Sequence, residues 1–376
     1  MLRAIGVFGD IKNDHPQNII KIVWAVPKFD DCLTGGQKVF LKLKDDLIRR
    51  AMILEPSKIE FNHSRSIQGQ IIMNIKNFKA LLPFDKSAFV FQDLLCRRSF
   101  ILANIFLHIF FRRKIIIFVN QDFVDLSKAS LKGKIILSMM YYVFFKTTYR
   151  IIVNSKSTAR WVNCFGNFRK KIYVLYPILK NDLWVGERLR DSDKGNGVMN
   201  LLCVGNIRKK KGQDYLIEAL SFFKRREVRL ILAGAVIETD YYDYLLDKIR
   251  SRGLGENVNF CGFLKGNKLA DTYRSADIFI LPSLNEPFGM VLIEAMSFGL
   301  PIIASNAGGV PEIIDDGING LLISPASVGD LVACIERLIK DKELREYLGI
   351  GALRKYYQFP DWEQSFKSFY ESCLTP

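Results

Sequence analysis

The sequence predicts an α/β protein built as two similar domains, each a parallel sheet covered by helices on both faces. Three observations carry this prediction. At 376 residues the chain is longer than one small core organises. Short apolar runs alternate with helix-length segments along most of it, the pattern of repeated strand–helix–strand units. A polar, broken stretch around residues 181–197, ending GERLRDSDKGNG, parts that alternation into two blocks.

In the first block, residues 19–26 (IIKIVWAV) read as a strand, and Gly35 and Gly36 open a mixed segment to Arg50 that reads as a helix. Residues 88–92, 115–120 and 151–154 are further short apolar runs with the length of buried strands. No element is assigned to residues 1–18. In the second block, strands are expected at 200–204, 229–233, 258–263, 277–281 and 301–304, with helices at 213–223, 241–252 and 268–274. Residues 359–374 place Trp362, Phe366, Phe369 and Tyr370 at helical spacing, a stripe suited to core packing. The expected division is a first domain over 1–178, a linker over 179–198, a second domain over 199–355 and a terminal helix over 356–376.

Composition excludes several classes. Seven cysteines are scattered from Cys32 to Cys373 with no C-x-x-C pair, which argues for reduced thiols rather than disulfides or zinc. His15, His63 and His108 lie far apart, so no metal is expected. The apolar run at 99–111 is shorter than the ~20 residues a bilayer-spanning helix needs, and the N-terminus does not read as a signal peptide. The expected location is cytoplasmic, with peripheral attachment at the inner face of a membrane as the variant. Charge is uneven: residues 1–180 hold 30 Lys and Arg against 12 Asp and Glu, or +18, while the remainder carries −3. Such asymmetry points to one half facing an anionic partner (nucleic acid, an anionic membrane surface or a phosphorylated lipid), with a generally basic proteome as the alternative. Two basic-flanked apolar runs in that half, residues 97–114 and 132–146, have the composition of interfacial helices. Each also precedes an expected strand, where a core helix belongs.

The most informative stretch is EPFGMVLIEAMSFGLPIIAS, residues 286–305. An apolar strand (DIFILP) precedes it. Pro287 cannot sit inside a helix, Gly289 permits a tight turn, and MVLIEAMSF reads as a helix stopped by Gly299 and Pro301. The unit is strand, loop, helix, strand, in which ligands bind outside the carboxyl end of the strand and the helix N-terminus offers free N–H groups to an anion. Glu286 at the strand end and Glu294 about one turn into the helix can face one pocket. Amides for phosphate and carboxylates for hydroxyls suit a nucleotide sugar. Two glutamates eight apart mean nothing alone, since solvated helix carboxylates are common.

The flanking residues carry the argument further. The stretch resembles the E-x7-E segment of retaining glycosyltransferases with the GT-B fold, and GGVPEII (Gly308, Gly309, Pro311, Glu312) and DGINGLL (Asp316, Gly317, Asn319, Gly320) resemble glycosyltransferase family 4. The resemblance implies a GT-B architecture, two Rossmann-like domains facing across a cleft, with the terminal helix returning to the first domain. It covers the second domain strongly and the first loosely.

A second signal is LLCVGNIRKKKGQDYLIEAL, residues 201–220, in which a strand ends at Gly205 and a basic loop leads into a helix. Cations beside a strand end suit a departing diphosphate. The family has Arg directly after the glycine and Lys five residues later; Lys211 fits the second place, Asn206 stands in the first, and Arg208 is the cation that could reach in instead. The resemblance puts Gly35 and Gly36 at a glycine-rich loop against the donor phosphate. Where relatives often have a histidine after the strand at 115–120, this chain has Asn120 and Gln121. No G-x-G-x-x-G or P-loop occurs, and the D-x-D at Asp191–Asp193 sits in the polar linker.

The function implied is retaining transfer of a sugar from a nucleotide-sugar donor to an acceptor hydroxyl, in cell-surface polysaccharide, lipopolysaccharide or other glycolipid synthesis. In that reading Glu286 and Lys211 are catalytic. Glu294, Phe288, Gly289, Met290, Val291, Asn206, Arg208, Gly35 and Gly36 bind substrate. No cofactor or metal is expected. The partners are the donor, a glycan or lipid-linked acceptor and an anionic membrane surface, and not nucleic acid. A non-catalytic nucleotide-sugar-binding subunit and a GT-B nucleotide-sugar epimerase are the alternatives.

Overall fold

The computed structural model describes strand segments at 22–25, 54–55, 89–93 and 114–119, and residues 130–178, 180, 197–224 and 227–373. The expected helix at 36–50, Gly35, Gly36, Asn120, Gln121, the D-x-D, most of the linker and the run at 97–113 lie outside the described residues.

Two parallel sheets of six strands form the frame. The first contains β1 (Ile22–Ala25), β2 (Leu54–Glu55), β3 (Phe89–Asp93), β4 (Lys114–Val119), β5 (Arg150–Val153) and β6 (Ile172–Val174), in the order β2-β1-β3-β4-β5-β6. Between β4 and β5 runs α1 (Leu131–Thr147), capped by Ser130, whose hydroxyl accepts the Gly133 N–H. After β5 comes α2 (Lys156–Asn163). Leu137, Tyr141, Phe144 and Phe145 of α1 pack on Ile117, Val119, Ile151 and Val153 of the sheet and Val162 of α2. The 132–146 run is thus a core helix on one side; its other side is exposed.

The second sheet comprises β7 (Met199–Val204), β8 (Val228–Ala233), β9 (Val258–Gly262), β10 (Ile278–Leu281), β11 (Ile302–Ser305) and β12 (Leu321–Ile323). Its helices are α3 (Gln213–Leu220), α4 (Thr239–Ser251), α5 (Asn267–Ser275), α6 (Met290–Ser297), α7 (Val328–Lys340) and α8 (Lys342–Gln358). Successive strand residues point to opposite faces. Leu202, Val204, Phe279 and Leu281 meet α5 and α6, while Leu201, Cys203, Ile278 and Ile280 meet α3, α4 and α7. Both faces being buried explains why these strands read as continuous apolar runs.

The expected strand ends shift by one to three residues, for local reasons. Asp277 stands before β10 rather than in it: its buried carboxylate accepts the Asn200 N–H at 2.7 Å. Pro301, lacking an N–H, precedes β11. Helix α3 ends at Leu220, where the Ser221 hydroxyl bonds the Glu218 carbonyl. The last helix, α9 (Trp362–Cys373), buries Trp362, Phe366 and Phe369 and takes a hydrogen bond from Tyr173 of β6 on Ser368 at 2.9 Å.

The order of the second sheet, β12-β11-β10-β7-β8-β9, reverses direction between β7 and β10. The connections leaving those two strands run to opposite sides, so a crevice opens beyond their carboxyl ends, the usual ligand position in such sheets.

Candidate active site

Two loops meet at this crevice. The first leaves β7 at Gly205, makes one 3₁₀ turn at Lys209–Lys211 and enters α3. The second leaves β10 at Pro282 and enters α6 through Gly289, whose φ of +100° is the left-handed region that favours glycine. They are tied by the Leu284 N–H, which donates to the Lys210 carbonyl at 2.8 Å. The Lys211 stem lies across Gly205, within van der Waals reach of the position a Cβ would take there. The result is an ion pair between Lys211 Nζ and Glu286 Oε2 at 2.5 Å, with both side chains mostly buried. Ser283 Oγ adds a hydrogen bond to the same carboxylate oxygen at 3.3 Å.

Lys210, not singled out among the candidates, belongs to the same cluster. Burial pushes its ammonium down to about 8, Lys211 adds to the shift, and Glu286 and Glu238 oppose it. Arg208 pairs with Glu238, its Nε 3.5 Å from Oε1, and Lys209 is exposed with its backbone N–H on the same glutamate. Lys210 thus feels the charges of Lys211, Glu286 and Glu238, while the Arg208 guanidinium is paired with Glu238. Asn206 contributes its carbonyl to the Gln213 side chain at 3.1 Å.

Helix α6 opens on Met290 and Val291 with no side-chain cap, so its first amides remain available to an anion. Phe288 is buried and its ring lies tilted against Tyr176, centroids 5.5 Å apart, so this residue offers its backbone rather than its side chain. Glu294 is half-buried, and its Oε2 accepts the hydroxyl of fully buried Tyr273 at 2.8 Å. Burial, then Glu294, holds that phenol well above its ordinary range. Nothing in the local sequence marks Tyr273, which reaches the site from α5.

The glycine pair of GGVPE serves close approach. A Cβ on Gly308 would fall 2.1 Å from the Glu286 carbonyl oxygen, and one on Gly309 2.3 Å from that of Pro287. The Gly309 N–H donates to Glu286 O at 2.8 Å, so this turn buttresses the backbone that carries Glu286. Glu312 reaches the first domain: its carboxylate accepts the Lys156 and Ser157 N–H groups at 2.8 and 2.7 Å and the Tyr176 hydroxyl at 3.2 Å. In DGINGLL, buried Asn319 holds the turn through Asp315 N and Ile313 O, and Asp316 accepts from Leu322 N, a structural role.

Two parallel α/β domains with a polar site at the switch point of the second define the GT-B fold, and solved structures agree. HepE of Anabaena, determined in complex with UDP-glucose, superposes with a TM-score of 0.74 over 94% of this chain and 99% of that one, at 19% identity. WaaG, a glycosyltransferase involved in lipopolysaccharide biosynthesis, superposes with a TM-score of 0.70 over 95% and 100%, at 17% identity.

Residues 189–355 match the family Glycosyl transferases group 1. An uncharacterized glycosyltransferase of Methanocaldococcus jannaschii is 35% identical over 246 residues, 62% of each chain. Sulfoquinovosyl transferase of Arabidopsis thaliana is 42% identical over 162 residues, 42% of this chain and 30% of that one. This chain thus spans between about a third and two thirds of the length of these curated relatives. The family resemblance and the GT-B fold expected from sequence are borne out.

Proposed function

We propose that the protein is a retaining, metal-independent glycosyltransferase that moves a sugar from a nucleotide-sugar donor to an acceptor hydroxyl. The observation that carries this reading is the buried Lys211–Glu286 pair at the switch point, beside the uncapped N-terminus of α6, within a group 1 domain. HepE, which shares the fold, binds UDP-glucose, which supports a nucleotide-sugar donor and makes UDP-sugars the first probes.

Each residue then has a task. Lys211 and the first amides of α6 at Met290 and Val291 hold the diphosphate as negative charge builds on it. Glu286 holds a sugar hydroxyl and Glu294 the ribose hydroxyls. The bond from the anomeric carbon to the phosphate oxygen breaks, and the acceptor oxygen bonds the same face of that carbon. The acceptor proton passes to the departing phosphate, so no protein base is required. The acceptor is a glycan or a lipid-linked saccharide, with cell-surface polysaccharide or lipopolysaccharide synthesis as the setting and peripheral attachment to a membrane as the location.

The test is a thermal-shift screen of nucleotide sugars, since a tight ligand raises apparent stability by mass action, followed by donor hydrolysis without acceptor. A stabilising donor that is slowly hydrolysed supports an enzyme. Binding without hydrolysis or transfer indicates the non-catalytic subunit, epimerised donor indicates the epimerase, and no stabilisation by any nucleotide sugar overturns the reading.

A further inference from the structure

Helix α1 is two-sided in an unusual way. One side is core, as described above. The other presents Leu131, Ile135, Ile136, Met139, Tyr142 and Val143 to solvent, with Leu131, Ile136 and Met139 exposed by 75%, 60% and 64%. At about 100° per residue these six side chains occupy one continuous stripe, which runs about 18 Å along the helix from Leu131 to Val143. Soluble surfaces rarely carry so long an apolar stripe without a partner.

The charge around it identifies that partner. Lys132 and Lys146 share the exposed side, one at each end, and the Lys146 ammonium lies 5.5 Å from the Tyr142 ring. Arg169, Lys170 and Lys171 gather at the helix C-terminus, where Lys171 donates to the carbonyls of Lys146 and Thr148 at 2.5 and 2.8 Å. Burial first, then Arg150 and Lys146, lowers the Lys171 ammonium below its usual range, as a positive local field requires. Residues 126–180 contain eleven Lys and Arg and no Asp or Glu. A second copy of the chain docked on this face would set cations against cations. An anionic bilayer supplies the opposite charge, and long lysine side chains reach its headgroups while the apolar stripe enters the acyl boundary.

We propose that the exposed face of α1 is the docking surface of this protein for an anionic lipid bilayer, with the helix lying flat in the interface. The proposal gives a surface to the membrane attachment named under the proposed function and rests on that reading only for its purpose, access to a lipid-linked acceptor. Its test needs neither donor nor acceptor, so the two readings fail separately.

The full chain is sedimented with vesicles of phosphatidylglycerol and phosphatidylcholine, and with phosphatidylcholine alone, at low and high salt. Binding is expected with the mixed vesicles at low salt and falls as salt screens the charges. Lys132→Gln with Lys146→Gln lowers partition about twenty-five-fold, at about fivefold for each lysine near the surface. Ile135→Ser with Met139→Ser lowers it at least as much. These side chains are exposed, so both variants keep the parent's thermal midpoint and self-association state. No sedimentation of the parent with mixed vesicles at low salt overturns the proposal. So does equal partition of parent and both variants, or a parent dimer that the apolar variant dissolves while none of them binds lipid.

Discussion

The carboxylate of Glu312 in the second domain accepts the backbone N–H of Ser157 in the first, at 2.7 Å, and the neighbouring Lys156 N–H at 2.8 Å. With the Ser155 hydroxyl accepting from Thr158 N, the opening amides of α2 are satisfied partly from within and partly by the other domain. A carboxylate at a helix N-terminus is favoured by the helix dipole. The same Gly308–Glu312 turn supports the backbone of Glu286, so one element joins the donor pocket to the position of the first domain.

Glu312→Ala should therefore loosen the domain contact. The expected loss is about 1–3 kcal/mol of stability, the cost of leaving donors without their charged acceptor, together with reduced turnover. Denaturant unfolding and steady-state kinetics measure the two. Glu312→Gln cannot accept both N–H groups with its amide nitrogen and should fall between. A variant with parent stability and turnover would reduce the contact to incidental packing.

Glu294→Ala should weaken donor binding by roughly 1.5–3 kcal/mol for each charged hydrogen bond lost. It also strips the buried Tyr273 hydroxyl of its acceptor, so stability should fall as well. Tyr273→Phe separates the effects, because it removes the hydroxyl that needs a partner and leaves the carboxylate. Calorimetric titration should show donor affinity lost in Glu294→Ala and largely kept in Tyr273→Phe. Unchanged affinity in a folded Glu294→Ala would remove this residue from the site.

Lys211→Ala should cut turnover by roughly 10²–10³, the usual cost of one preorganised charge-stabilising group. Lys209 is exposed and its backbone, not its ammonium, meets Glu238, so Lys209→Ala should do little. Equal losses from the two would mean that the loop acts as a diffuse basic patch.

The Lys210 ammonium, pushed down to about 8 by burial, should make the binding of a nucleoside diphosphate sensitive to pH. Below that value it is already charged; above it, an arriving anion must recruit a proton. Affinity for a nucleoside diphosphate should fall as pH rises from 7 to 9.5, and calorimetry in buffers of different ionisation enthalpy should reveal proton uptake near the upper end. For stability the sign is opposite: between about 8 and the unfolded value of 10.5 the unfolded chain holds more protons, so this residue favours folding as pH rises there. Lys210→Met should flatten the binding profile. A Lys210→Met profile superposable on the parent's would assign the pH dependence to another group.

The strand, loop and helix around Glu286 were legible because their signals are local. An apolar run, a proline, a left-handed glycine and a helix period act within a few residues of one another. The family resemblance of the second domain followed from the same stretch, and the position of Lys211 beside a strand end from the loop that follows Gly205. Contacts between distant segments were not legible. Lys211 and Glu286 are 75 residues apart, and Ser157 and Glu312 are 155 apart. Arg208 and Lys210 are equivalent as neighbouring letters in a basic run. Only the packed loops bury Lys210 among the charges of Lys211, Glu286 and Glu238 and pair Arg208 with Glu238.

The same division applies to α1 and to Tyr273. By itself the sequence determined that residues 132–146 are apolar with basic flanks, and that a helix belongs before the next strand. Whether that helix is core or interface was decided by the sheet, which covers the side bearing Leu137, Tyr141, Phe144 and Phe145 and leaves Ile135, Ile136 and Met139 in solvent. Tyr273 has no motif, yet α5 packs it beneath α6 with its hydroxyl on Glu294. Composition and periodicity are properties of neighbours along the chain. Pairing, burial and charge coupling depend on which segments the fold brings together, and that is why only the tertiary structure decided them.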